Sequence, residues 1–162
     1  MRALPRGVLD SDVIFSRVLH ELMGRAAADA RLLDLVWSDE LLDEAKNTLI
    51  KLKPLQPHVA EAWIGHMRRE FPTGKADISE IPEGLDLSTL TTDPDDQHVC
   101  ALAIAGEADW LFTYDRGYLR SALASHGVHV TSPDVFLSEV IDNDPTPAVT
   151  RSRPRPQRTV SR

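Results

Sequence analysis

Apolar residues along this chain fall into short runs that alternate with stretches of helical period. "ALPRGVLD" (residues 3–10) reads as a short strand ending at Asp10. "SRVLHELMGRAAADARLLDL" follows as mostly helix, with Val18 and Leu22 at helical spacing. "LVWS" is a second strand, broken at Ser38, a residue type that caps helices. The acids Asp39 and Glu40 then stand in a first turn, where the helix dipole favours them. The helix "DELLDEAKNTLIKL" runs to Pro54, and another begins after Pro57, its Val59, Trp63, Met67 and Phe71 assigned to one face. Residues 72–92 are irregular, with Gly and Pro marking loops.

The sharpest helix start is "TTDPDDQHVCALAIAGEA": Asp93 can cap it, Pro94 suits the first position, and Asp95 and Asp96 follow. "DWLFTYD" is an apolar strand ending at Asp115, and "GVHVT" a further short one. Ser132 and Pro133 open a last helix, "PDVFLSEVI". There is no internal repeat. Strands alternating with helices predict an α/β fold with a parallel sheet flanked by helices.

A chain of 162 residues is enough for one domain that buries roughly 70% of its unfolded surface. No apolar stretch approaches the ~20 residues of a membrane span, and no signal-peptide core follows Met1, so a cytoplasmic protein is expected. The single Cys100 excludes an intramolecular disulfide framework and, set in "HVCALAIA", reads as a buried thiol. Charge is uneven. Residues 143–162 hold five Arg, one Asp and four Pro, a net +4 that leaves −11 on residues 1–142 against −7 for the chain. That divides the sequence into a globular body, 1–142, and a disordered Arg/Pro-rich tail, 143–162, either a nucleic-acid arm or a solubilising end.

Acids cluster where the elements meet. Asp10 and Asp12 lie close enough to repel by ~4 kcal/mol at a near-surface dielectric, so a cation, hydrogen bonds or water must compensate. In open α/β sheets, sites form beyond the carboxyl ends of strands, and Asp10 and Asp115 both end strand-like runs. On the helix from Ser38, Leu41, Ala45, Leu49 and Leu52 cluster; Glu44 lies at the edge of that stripe and Asp43 opposite it. On the later helix, Asp96 shares the side of Val99, Cys100 and Ala103, with Asp95 on the margin. Asp10, Glu44, Asp96 and Asp115 therefore converge as candidate catalytic residues and metal ligands. Carboxylate oxygens suit Mg²⁺ or Mn²⁺ rather than zinc. One or two such ions could hold a phosphodiester and lower the pKa of an attacking water.

"VLDSDV", "WSDELLDEAKNTL", "DPDDQHVCALAIAGEADWLFTYD" and "PDVFLSEVI" resemble, in order and approximate spacing, the successive motifs of the PIN-domain nuclease family, over residues 8 to about 141. The resemblance implies a three-layer α/β/α sandwich around a mainly parallel sheet. It also implies a metal-dependent endoribonuclease that cleaves RNA with metal-activated water. Many small bacterial members are toxins, so it further implies a VapC-like toxin, a cognate antitoxin as partner, and a homodimer as one possible assembly. The family's four acids fall on Asp10, Glu44, Asp96 and Asp115. Many members carry Asn where this chain has Asp12, which becomes an additional supporting acid. Ser11 is expected to orient Asp10, and Thr113 to orient Asp115.

Arg17, Lys46, Arg116 and Arg120 lie near these motifs and could meet an RNA backbone, whereas Arg68 and Arg69 read as a solvated face. Trp37, Trp63, Phe71 and Trp110 read as core. His98 is expected to face away from Asp96, and His126 and His129 make a weak pair around Gly127. Two other functions compete. "LDSDVI" also resembles the opening Asp-x-Asp of haloacid-dehalogenase-like phosphatases, but the Lys that family needs is missing: Lys51 and Lys53 lie on a helix and Lys75 in a loop. A non-catalytic PIN-like module that binds RNA or protein is the other alternative.

Overall fold

The computed structural model describes residues 4–53 and 55–143. Its sheet has four parallel strands, β1 (Arg6–Leu9), β2 (Asp34–Val36), β3 (Trp110–Phe112) and β4 (His129–Thr131), in the order β2-β1-β3-β4. Val8 stands between Val36 and Leu111, and Leu111 opposite Val130. Consecutive residues are buried along these strands: Val8 and Leu9, Leu35 and Val36, Leu111 and Phe112. Both faces of the sheet are therefore covered, which explains why its strands read as apolar runs rather than alternating ones. Among the described residues, seven α-helices complete a three-layer α/β/α sandwich: α1 (Ser11–Ile14), α2 (Arg17–Ala28), α3 (Asp39–Leu52), α4 (Pro57–Glu70), α5 (Gln97–Ala105), α6 (Arg120–Ser125) and α7 (Pro133–Asn143). No described helix is long and apolar enough to cross a membrane. The basic stretch assigned to a tail lies, from residue 144, outside the described residues.

The helix after Ser38 forms over the expected residues because its start is specified locally. The Ser38 hydroxyl accepts from the Leu41 amide at 3.2 Å, and Asp39 and Glu40 occupy the first turn. Its buried face is Leu41, Leu42, Ala45 and Leu49, whereas Leu52, assigned to that face, is exposed in the last turn. On α4 the expected stripe drifts. Steps of four residues rotate about 40° past a full turn at ~100° per residue, and the buried face is Ala60, Ile64 and Met67, with Val59 exposed and Trp63 and Phe71 partly buried. On α2 the inner residues are His20, Met23, Ala26 and Ala27; Leu22 is exposed, and the side chain of Val18 lies outside the description. The short helices α1 and α6 span four and six residues, too few to show a period, and were not expected.

The free edge of β2 is closed by the chain after α4. The Trp37 amide donates to the Gly74 carbonyl at 2.9 Å, and the Ala76 amide to the Trp37 carbonyl at 2.9 Å. The Trp37 indole donates to the Phe71 carbonyl at 2.7 Å. Arg68, expected to be solvated, instead lies over the Trp37 ring and pairs with Asp39, which also meets Lys75 at 3.1 Å. Such a seal removes unpaired backbone groups from a sheet edge.

β1 is the switch point of the sheet: the chain crosses from it to β2 on one side and later reaches β3 on the other. The crevice at the carboxyl ends of β1 and β3 is where an open α/β sheet binds ligands. The Asp10 amide donates to the Phe112 carbonyl at 3.0 Å, so Asp10 leaves the sheet at that crevice.

Gly74 lies so close to β2 that a Cβ would fall 2.0 Å from the Leu35 carbonyl oxygen. Gly74→Ala is expected to destabilise by about 2 kcal/mol or more. Gly24, on α2 with nothing within 4 Å of a built Cβ, is the counter-case: Gly24→Ala should stabilise by about 0.5–1 kcal/mol. Urea unfolding of both variants checks the pair.

Candidate active site

Asp10 follows the last residue of β1 and is 3% exposed. Its Oδ1 accepts from the Ser11 amide at 2.8 Å, which also caps α1. Its Oδ2 accepts from the Thr113 hydroxyl at 2.8 Å and the Tyr118 hydroxyl at 3.0 Å. These donors favour the carboxylate, but burial, then the charge of Asp12, outweigh them and push its pKa up to about 6.

Asp96 arrives by a different device. The Asp93 side chain accepts from the Asp95 amide at 2.9 Å and caps a 3-10 turn, Pro94–Asp96, that leads into α5. Asp96 is buried, and its Oδ2 has no hydrogen-bond partner. Burial first, then the charges of Asp10, Asp115, Asp93 and Glu44, push its pKa up to about 7. The charges of the other three acids singled out in the sequence thus all reach Asp96. Asp95 and Asp43 are exposed.

Glu44 projects from α3 and is held at both oxygens: Oε1 accepts from the Ser11 hydroxyl at 3.1 Å, and Oε2 from Nε2 of His98. The hydrogen bond to Glu44 is the largest cause raising the pKa of His98 above its ordinary value. The expectation that His98 faces away from Asp96 is therefore corrected. Asp96 belongs to the 3-10 turn, so counting ~100° per residue from it into α5 misplaces the imidazole. Its Nδ1 is buried without a partner.

Asp115 is exposed, with Oδ1 accepting from the Gly117 amide at 2.8 Å. Thr113 serves both strand ends, donating its hydroxyl to Asp10 and accepting the Asp115 amide at 3.0 Å. Asp12 accepts the Tyr114 amide at 2.9 Å on Oδ2, while its Oδ1 is buried without a donor, and burial raises its pKa. Two members of this network were not anticipated, Tyr118 and His98, because their partners lie far away along the chain. Cys100 sits nearby as a buried thiol, pushed up to about 12 by burial and by the charges of Asp96 and Asp10. It is inert as a nucleophile. A separate cleft of about 750 Å³ lies between α2 and α4, lined by His20, Val59 and Trp63.

A family model of the PIN domain matches residues 6–117, more than half of the chain and a span that includes all four acids. The chain belongs to the PIN domain family. No curated protein matches it. PIN domains are generally nucleases and typically use divalent metals, and the match favours this reading over the phosphatase one. Among the described residues, no three His, Cys, Asp or Glu side chains stand close enough to hold a metal ion as they are placed. The donor chemistry of this PIN domain nonetheless fits a hard cation: all the acids offer oxygen, and Asp96 Oδ2 and Asp12 Oδ1 are buried with no donor.

The raised acids carry a stability signature. Their folded-state values near 6 and 7 exceed the 3.8 of a free Asp, so between those limits the native protein binds more protons than the unfolded chain. Stability should then fall as pH rises through that window. The contribution of His98, whose pKa is raised, is also lost as pH rises. Buried His20, whose pKa is lowered, works in the opposite sense, so the expectation is comparative: in EDTA, raising the pH from 5.5 to 7.5 should cost the unsubstituted chain about 5 °C more in melting temperature than it costs Asp96→Asn. An equal pH dependence of the two proteins would refute this electrostatic account.

Proposed function

We propose that this PIN domain is a divalent-metal-dependent endoribonuclease that cleaves RNA phosphodiester bonds through Asp10, Glu44, Asp96 and Asp115. The observation that carries the reading is Asp96: a buried carboxylate with one oxygen lacking any donor, under the charge of Asp10, Asp115 and Glu44. Folding this arrangement is costly unless a positive charge offsets it. The four acids would hold Mg²⁺ or Mn²⁺, with Asp12 nearby. Such an ion, when bound, supplies positive charge at the attacked phosphate and lowers the pKa of a water molecule.

The residues of this chain do the rest by position. Thr113 and Tyr118 hold one oxygen of Asp10, and the Ser11 amide holds the other. Ser11 and His98 keep Glu44 from swinging into solvent. No side chain is required as a covalent nucleophile. We further propose a toxin role with a cognate antitoxin, in the cytoplasm; this finer reading is supported by the resemblance to VapC-like toxins.

Purified protein, freed of bound partners, is incubated with cellular RNA in Mn²⁺, Mg²⁺ or EDTA. Cleavage should require metal and fall on the order of a hundredfold or more in Asp96→Asn. Metal-bound, folded protein that leaves RNA intact would instead favour the binding module. The hydrogen bond from His98 to Glu44 gives a second expectation: His98→Ala should weaken Mn²⁺ binding by about ten- to a hundredfold, read by calorimetry.

A further inference from the structure

The chain holds three Trp, two Tyr and four Phe, and all of them but Tyr114 are buried or packed against the core. Tyr114 is 48% exposed. It lies between Thr113, whose hydroxyl holds Asp10, and Asp115. Adjacent Cα atoms are ~3.8 Å apart, so the ring emerges within a nucleotide's reach of the acids.

The ring is exposed and yet tethered at both ends. Its backbone amide donates to Asp12 Oδ2 at 2.9 Å, and its hydroxyl donates to Asp134 Oδ1, in the first turn of α7, at 2.9 Å. A side chain already held this way has little rotamer freedom left to lose on binding. The groups around it are acidic, namely Asp12, Asp115 and Asp134, so this spot does not suit a phosphate. It suits the neutral face of a heterocycle.

Two residues on stands Arg116, exposed and without a hydrogen bond or ion pair among the described residues. Other cations near the site are engaged elsewhere: Lys46 with Glu61 at 3.6 Å, Arg17 with Glu21 at 3.5 Å, and Arg120 with the Val130 carbonyl at 2.8 Å. "TYDRG" thus presents an aromatic face and a free guanidinium on one strand-end loop, the pairing that single-stranded nucleic acid uses, with stacked bases and a tracked backbone.

We propose that Tyr114 is a stacking platform for an unpaired nucleobase of a bound RNA strand, with Arg116 on an adjoining phosphate. This inference rests on the nuclease reading for its choice of ligand. Bases in a duplex are stacked on each other and cannot offer a face.

The test uses the full chain carrying Asp96→Asn to stop cleavage, and fluorescence anisotropy of a labelled single-stranded RNA 12-mer of mixed sequence. Tyr114→Ala should raise Kd by about fivefold to a hundredfold, whereas Tyr114→Trp should bind nearly as the parent does. The Tyr114→Ala loss should vanish on the same strand made abasic, and on its duplex. Arg116→Ala should instead reduce the salt slope by about 0.7 on both the ordinary and the abasic strand. Melting curves confirm that each variant is folded.

Equal binding by Tyr114→Ala and parent overturns the platform, as does a loss that persists on the abasic strand. Cleavage by the chain with Asp96 intact is scored separately. If it cuts RNA and Tyr114→Ala binds like the parent, only the platform fails. If it does not cut but binding depends on Tyr114 and on the base, the platform stands and the nuclease reading fails.

Discussion

A carboxylate buried at the end of a central strand must find donors, and Asp10 organises much of this molecule by that demand. Its two oxygens accept from Ser11 at the start of α1 and from Thr113 and Tyr118 beyond β3. Because β1 and β3 are neighbours, the strand-end loops that carry these donors are brought together by the sheet itself. Even so, the hydrogen bonds do not neutralise the group, and its proton affinity stays raised. The sheet creates a point of negative potential that its own donors leave incomplete.

The second layer of the site answers the same constraint differently. Glu44 spans from α3 to Ser11 and His98, which join α1 and α5 to it. Asp96 enters through a capped 3-10 turn, so its direction is decoupled from the helix that follows. Helix packing thus sets where Glu44 and Asp96 begin, and hydrogen bonds set where they point. Tyr114 shares this economy: Asp12, which adds repulsion, also receives the Tyr114 amide and fixes the loop that displays the ring.

Legibility in the sequence followed the range of the interactions. α3 could be read end to end because a capping Ser and first-turn acids mark its start and Pro54 follows soon after its end in the sequence. The parallel sheet could be read because three of its strands end in buried apolar pairs, Val8 and Leu9, Leu35 and Val36, and Leu111 and Phe112, that are covered on both faces. The face of α4 was read with the wrong phase, since stepping by four accumulates rotation that only its packing against α3 reveals. α1 and α6 are shorter than two turns and leave no period. Around the acids, Asp96 stands in a 3-10 turn to which the period of α5 does not extend, whereas Glu44 could be oriented from its helical stripe. His98 and Tyr118 could not, because a hydrogen bond to a residue 54 or 108 positions away leaves no local trace. Thr113 was legible as a neighbour of Asp115, but its donation to Asp10 was not.

The distances along the chain between Asp10 and its donors have a consequence for synthesis. Thr113 and Tyr118 come 103 and 108 residues after Asp10. A polypeptide growing on a ribosome carries its first acid early and its last supporting hydroxyl only after most of the fold has been made. Until that stretch has left the exit tunnel, β1 lacks one of its two neighbours and Asp10 lacks two of its three donors. The contacts that hold Asp10 in place are thereby completed only once the loop beyond β3 has been made.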